Sequence, residues 1–301
     1  MTARDLADAL EGKREGHEWR CRCPVHGGRS LSVTERDGRL LLICRAGCSQ
    51  GEVISELKRL GLWEGATGYQ STPPPAPEPA NDAARRADRA SKIWEQSNPV
   101  QPGDPAHTYL KNRRVALLEY PSDLRTHPSL PYWTQNDKEK WVCLGKWPAM
   151  IAIVRNPKGR PVALYRTYIT SDGHKAPVPA PKKIVKVFDL AGSAVKLFPP
   201  RDGFLAVCEG IEDALSAWLL WQIPTWATIG TSGIKGFDPP EGVRELIVFA
   251  DKDENGAGQK AAIELAEKLK EMKKAVRILV PNGHKDVNSL LTKEAIDAVY
   301  H

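Results

Sequence analysis

The sequence predicts a multidomain α+β protein with a small N-terminal unit built on a β-hairpin, a basic α+β middle region, and a C-terminal α/β domain with a parallel sheet. Three observations predict it. Two short clusters, "CPVH" and "CRAGC", flank alternating apolar residues near the N-terminus. A proline-rich stretch at 72–80, "TPPPAPEPA", can continue neither a helix nor a central strand, and separates what lies on either side. From Gly203 onward the short apolar runs "FLAVCEG", "TWATIG", "ELIVFAD" and "AVRILVP" alternate with "IEDALSAWLLWQ" and "GQKAAIELAEKLKEMKK", which have helical periodicity. That alternation is the pattern of a parallel sheet covered by helices.

Composition narrows the classes. At 301 residues and 41% apolar content the chain can bury two or three cores. No run of eighteen apolar residues occurs, and the opening "MTARDLADALEGKREG" is charged and amphipathic rather than a signal peptide. A cytoplasmic protein with no membrane partner is expected. Six cysteines without an export signal point to metal ligands and core thiols rather than a disulfide framework. The net charge of +6 permits binding to nucleic-acid phosphates without requiring it.

The N-terminal unit, residues 1–65, is too small to rely on a hydrophobic core alone. Seventeen residues separate His26 from Cys44, and they include the alternating "SLSVTERDG" and "RLLLIC". Two ligand pairs joined by a β-hairpin are the layout of a zinc ribbon, since tetrahedral Zn²⁺ takes four N or S ligands supplied in pairs by tight loops. Gly47 offers the backbone freedom of such a loop. Five candidates, Cys21 and Cys23 among them, compete for the four places. Spacing favours Cys23 with His26. The expected ligands of one Zn²⁺ per chain are therefore Cys23, His26, Cys44 and Cys48. "CPVH", the seventeen-residue spacer, "CRAGC" and the helix "SQGEVISELKRLGL" resemble the CHC2-type zinc-binding domain of DnaG-type bacterial, phage and plasmid primases. The resemblance places those four residues on the family's ligand positions and leaves Cys21 outside. It also implies template recognition, for which Arg20, Arg22, Arg29 and Arg45 offer a basic surface; a merely solvated face is the alternative.

Residues 66–95 read as the proline-rich linker and an exposed helix, "NDAARRADRASKIWEQS", capped by Asn81 or Asp82. Residues 201–301 carry the chemistry. Glu209 ends one predicted strand, with Gly210 allowing a sharp turn, and Asp251 and Asp253 end another as an Asp-x-Asp. Loops at the carboxyl ends of parallel strands share one rim, so these acids can meet there. Carboxylates a few ångströms apart raise one another's pKa unless a hard cation neutralises them, so a Mg²⁺ or Mn²⁺ site is the economical explanation. Such ions can bind a nucleotide's phosphates, activate a 3′-hydroxyl and stabilise leaving pyrophosphate. "CEGIEDALSA", "TIGTSG" with Gly230, and "ADKDENGAG" together resemble the Toprim domain shared by DnaG-type primases, topoisomerases and certain nucleases. By that resemblance Glu209, Asp251 and Asp253 are the catalytic and metal-binding acids. Asp213 and Asp286 are secondary acids, expected to cap helices or lie on the surface.

The middle region, residues 96–200, resembles more loosely the segment preceding Toprim in phage- and plasmid-type primases, through "DPAHTYLKNRRV", "ALYRTYITSDGHKAPVP" and "PKKIVKVF". The resemblance implies a second cleft wall, with Arg166, Lys175, Lys182, Lys183 and Lys196 as candidate contacts to nucleic acid and nucleotide. Trp133, Trp141 and Trp147 could stack on unpaired bases, with core packing expected for at least two of them.

Zinc ribbon, spacer, then Toprim is the primase order. The expectation is a helicase-free DNA primase of a plasmid or phage type, making short RNA primers from NTPs on a single-stranded DNA template. No G-x-x-x-x-G-K-[ST] occurs in the sequence, so a separate replicative helicase is the expected partner. Two alternatives use the same parts: a Toprim nuclease, and a non-catalytic single-stranded-DNA-binding protein of recombination or plasmid transfer.

Overall fold

The computed structural model describes residues 2–15, 18–36, 39–46, 48, 50–63, 80–136, 140–253 and 256–291. They fall into two compact units, one drawn from residues 1–77 and 133–142, the other from 78–132 and 143–301. Gly47 and most of the proline-rich stretch lie outside the described residues.

In the first unit a four-stranded sheet, β1 (Lys13–Glu15), β2 (Glu18–Cys21), β3 (Leu31–Arg36) and β4 (Arg39–Cys44), runs antiparallel in sequence order. Helix α1 (Ala3–Ala9) starts on a reciprocal cap in which the Thr2 hydroxyl accepts from the Asp5 N–H and the Asp5 carboxylate accepts from the Thr2 N–H. Helix α2 (Gln50–Arg59) follows the second cysteine pair. Period-2 alternation sends Leu31, Val33 and Leu42 inward against Leu6 and Leu10 of the first helix region and Val53 and Leu57 of the second. Leu41 and Ile43 face outward and are exposed. So few large side chains make a modest core, which is why cross-linking the two loops matters to this unit.

The second unit holds two sheets. Helix α3 (Ala80–Glu95) begins one residue before the expected cap at Asn81 or Asp82, which therefore lie in its first turn. A five-stranded sheet orders β5 (Asn98–Pro99), β6 (Leu124–Gln135), β7 (Trp141–Arg155), β8 (Pro161–Tyr168) and β9 (Lys182–Lys186) as a meander. Between β5 and β6 lies α4 (Pro105–Asn112), with proline at its start, where a missing N–H costs nothing. One face of this sheet packs Leu130, Tyr132, Ile151, Leu164 and Val185 against Ala90 and Ile93 of α3. The other packs with α4 and the C-terminal sheet in one continuous core.

The C-terminal sheet is parallel, in the order β11-β10-β12-β13: β10 (Phe204–Cys208), β11 (Thr225–Ala227), β12 (Glu245–Phe249), β13 (Ala275–Leu279). Its helices are α5 (Ile211–Trp221), α6 (Thr231–Gly236) and α7 (Ala257–Glu271). Alternate residues divide cleanly between the faces. Ala206, Cys208, Ile247 and Phe249 join the core containing α5, whereas Leu205, Val207, Leu246 and Val248 pack against α6 and α7. The expected α+β architecture with a C-terminal parallel sheet is thus present. Among the described residues no helix is long and apolar enough to cross a membrane.

Candidate metal centres and the acidic rim

In the first unit, one ligand atom each from Cys23, His26, Cys44 and Cys48 lies within 4.8 Å of the other three. Cys23 and His26 sit in the turn after β2, which closes through Gly27 N–H to Cys23 C=O (2.8 Å) and Cys23 N–H to Gly28 C=O (2.8 Å). Gly27 takes φ 77°, a left-handed conformation that suits glycine. Cys44 is the last residue of β4 and Cys48 precedes α2, so the second pair is anchored by a strand on one side and a helix on the other. Burial opposes ionisation of Cys44, but the Ser30 hydroxyl, the Cys48 N–H and His26 outweigh it and bring its pKa down to about 6. Burial and the neighbouring thiolates of Cys23 and Cys44 push Cys48 up to about 12, and Cys23 is raised as well. Sulfurs this close resist sharing negative charge unless a cation lies between them, and three cysteine sulfurs that ionise on binding, with one imidazole, suit Zn²⁺.

Cys21 is not part of the group. It is fully buried against Gly12, where an added Cβ would stand only 2.6 Å from its sulfur, and burial raises its pKa to about 11. The arginines of this unit are largely neutralised within it. Arg20 and Arg45 both pair with Glu18 at 2.7 Å, and Arg22 pairs with Glu11 at 2.7 Å. The basic surface expected of them is therefore reduced.

In the second unit the strand order creates the acidic site. The chain leaves β10 for β11 on one side and then crosses back to β12 on the other, so the connections part between the carboxyl ends of β10 and β12. A crevice at such a switch point is where open parallel sheets bind ligands. Glu209 directly follows β10, and Asp251 and Asp253 follow β12. Burial, then Glu209, Asp286 and Asp253, push Asp251 up to about 7. Glu209 is raised by burial and by Asp253, against a hydrogen bond from Thr231. Gly258 at the start of α7 completes the wall: a Cβ there would lie 3.1 Å from the Glu209 carboxylate and 3.0 Å from the Asp251 carbonyl.

Two acids the sequence assigned to capping or the surface behave differently from each other. Asp286 is half-buried in a turn, accepting from the Ser289 N–H at 2.8 Å. Asp213 corrects the expectation: it is 8% exposed, accepts from the buried Asn288 N–H at 2.9 Å, and is pushed by burial, Asp251 and Asp286 up to about 7. A Cβ on Gly210 would meet its carboxylate at 2.6 Å, so the turn after Glu209 requires glycine for space. The i+4 spacing from Glu209 was the available signal. Packed carboxylates with raised affinity for protons are hard oxygen donors lacking a counter-charge, a set that fits Mg²⁺ or Mn²⁺.

The five predicted basic residues separate. Lys182 is committed: its ammonium lies 3.1 and 3.3 Å from the two oxygens of buried Glu212, which also accepts from the Tyr109 hydroxyl. Lys175 is exposed, and Lys182, Arg113 and Lys285 are close enough to act on it; Lys285 also acts on Asp251. Lys285 thus joins the rim without having been singled out in the sequence. Arg166 and Lys183 are cross-strand neighbours on the α3 face. Arg166 is 5% exposed, donates to the Tyr168 hydroxyl at 3.0 Å and leaves its Nε unpartnered, so it is a buried group rather than an open contact. Lys183 sits over the Tyr132 ring at 4.1 Å. Lys196 donates to the Pro157 carbonyl at 3.1 Å and lies over Trp226, apart from the acids' own contacts. Trp133 and Trp141 are 42% and 66% exposed, so only Trp147 packs against a core; the expectation for at least two is corrected. They sit at the outer ends of β6 and β7, where each strand outruns the buried sheet.

Comparison with known families matches residues 204–297 to the Toprim domain and residues 84–197 to a domain of unknown function (DUF7146). Among solved structures, the chain is similar to a DNA primase domain from Pseudomonas aeruginosa at 18% identity and TM-score 0.46, over 72% of this chain and 77% of that one. It is similar to the zinc-binding and RNA polymerase domains of the Aquifex aeolicus primase at 15% identity and TM-score 0.46, over 100% and 82%. It is also similar to the primase fragment of the bacteriophage T7 primase-helicase protein, at 23% identity and TM-score 0.38, over 53% and 64%. No curated protein matches it.

Proposed function

We propose that this chain is a DNA primase that binds single-stranded DNA, takes up ribonucleoside triphosphates and joins them by attack of a 3′-hydroxyl on an α-phosphate. The observation that supports the proposal is that Glu209, Asp251 and Asp253 follow the two strands at the switch point of a parallel sheet, close enough to act on one another's charge, within a Toprim match. In this reading those acids hold Mg²⁺ or Mn²⁺, and Cys23, His26, Cys44 and Cys48 hold one structural Zn²⁺ in a template-reading unit. A divalent cation at the rim supplies Lewis-acid polarisation of phosphate oxygens and a more acidic 3′-hydroxyl.

The chain's own residues do the rest. Lys285 sets positive charge against Asp251, and Lys175, with Lys285 and Arg113 near it, extends that charge for the triphosphate. Exposed Trp133 and Trp141 offer π-faces to unpaired bases, and Lys183 offers charge to a strand on the α3 face. Lys182 acts by fixing α5 rather than by touching the template. No side-chain nucleophile is required, since positioning and electrostatics carry phosphoryl transfer. Unwinding falls to a separate helicase.

The test incubates the purified protein with single-stranded DNA, labelled NTPs and Mg²⁺ or Mn²⁺ and resolves the products on a denaturing gel. Short RNA that disappears in Glu209→Gln is the expected result. Shortened DNA would replace the proposal with the nuclease, and a bound but unchanged strand with the non-catalytic binder.

A further inference from the structure

The turn from β11 into α6 is laced onto the end of β10. The N–H and hydroxyl of Thr228 donate to the Cys208 carbonyl at 2.9 and 3.1 Å, and the N–H groups of Ile229 and Gly230 donate to the Glu209 carbonyl at 3.0 and 3.3 Å. This stitching imposes an unusual backbone. Ile229 has φ 59°, a region that β-branched residues rarely enter and that persists where surrounding structure over-determines it. Gly233 brings helix and turn together backbone to backbone, since a Cβ there would stand 1.9 Å from the Thr228 carbonyl oxygen.

The product of this geometry is the placement of one hydroxyl. Thr231 Oγ1 lies 3.3 and 3.2 Å from the two carboxylate oxygens of Glu209. A side chain at Gly258 would crowd the same carboxylate, since a Cβ there would stand 3.1 Å from it. Asp253 and Asp213 both repel Glu209, so a carboxylate without a donor would turn away from them. We propose that Thr231 is a positioning residue whose hydroxyl donates to Glu209 and holds its carboxylate toward the rim, against the repulsion of the neighbouring acids. The inference rests on the reading of Glu209 as a divalent-cation ligand.

Mn²⁺ binding to the full chain, followed by the loss of the free-ion electron paramagnetic resonance signal, tests it in Thr231→Val, Thr231→Ala, Thr231→Ser and Glu209→Gln. Removing one charge-assisted hydrogen bond predicts an Mn²⁺ Kd about tenfold weaker in Thr231→Val and Thr231→Ala. Thr231→Ser retains the hydroxyl and is expected within about twofold of the unchanged protein on the same scale. Primer synthesis should need correspondingly more Mg²⁺ for half-maximal rate while the rate at saturation changes little. The alanine and serine variants are alike in size, so a folding defect in the valine variant leaves the comparison intact. Unchanged affinity in Thr231→Ala, or equal weakening in Thr231→Ser, would overturn the positioning role. Unchanged affinity in Glu209→Gln would instead overturn the metal reading on which it rests.

Discussion

Replacing Lys182 with Met removes the counter-charge from the Glu212 carboxylate, which among the described residues has no other cationic hydrogen-bond or ion-pair partner. The Glu212 side chain is 6% exposed, and its remaining partner would be the Tyr109 hydroxyl, itself on a residue 2% exposed. Stranding a buried charge by deleting its partner costs about 3–5 kcal/mol. The reverse deletion, Glu212→Gln, is milder, because the Lys182 side chain is 32% exposed and its ammonium can reach water; about 1–3 kcal/mol is expected. In the double variant the Gln can still accept from Tyr109 and no charge is stranded, so the losses should not add, and a coupling of about 2 kcal/mol is expected. Urea unfolding at pH 7 measures all three. The pair also sets a pH signature. Burial raises the Glu212 pKa, but Lys182 and Tyr109 outweigh it and hold the group below the usual carboxylate range. A depressed carboxyl contributes stability above its unfolded pKa and loses it as pH falls through the folded value. That acid-side loss should disappear in Lys182→Met. A loss under about 1 kcal/mol, or additive effects in the double variant, would refute the reasoning.

Two further outcomes follow from the metal centres. Cys21→Ala should retain about one zinc per chain and Cys23→Ala should lose it, measured by elemental analysis of the folded protein, because the clustered ligand atoms include Cys23 and not Cys21, whose sulfur lies against Gly12; zinc loss in Cys21→Ala would refute the ligand set. Burial followed by neighbouring carboxylates raises Asp213 and Asp251 from 3.8 to about 7, so the native state binds more protons than the unfolded chain between those values and stability falls as pH rises through that window. Melting temperature without divalent cations should drop from pH 5 to pH 8, Mg²⁺ should restore part of it, and Asp251→Asn should weaken both effects; an Asp251→Asn variant matching the unchanged protein in both would refute the mechanism.

The cluster of Cys23, His26, Cys44 and Cys48 was legible because each pair is local: a spacing of two or three residues keeps its members close, and a hairpin brings the pairs together. Glu209 and Asp251 were legible for a similar reason, since an acid at the carboxyl end of a predicted parallel strand has its rim assigned by the period of the sheet. Lys182 was not. Residues 182 and 183 are adjacent lysines of one strand, and only the pleat decides that the first meets Glu212 while the second lies over Tyr132. Arg166 likewise reads as one more surface cation until β8 turns it under α3. The tryptophans misled because a large apolar side chain is ordinarily core, whereas β6 and β7 extend past the layers that would cover Trp133 and Trp141.

The sequence by itself determined the elements and the chemistry each end carries: two ligand pairs about a hairpin, a proline-rich break, and acids after two strands of a parallel domain. Hydrophobic period and turn residues encode these locally, over a few residues at a time. Only the tertiary structure decided which strands are neighbours. That choice put Glu209 beside Asp251, buried Asp213 behind them, paired Lys182 with Glu212 and brought the Thr231 hydroxyl to the Glu209 carboxylate. The physical reason is that electrostatic partnership depends on distance in space, and crossover connections carry the chain past β10 before that distance is set.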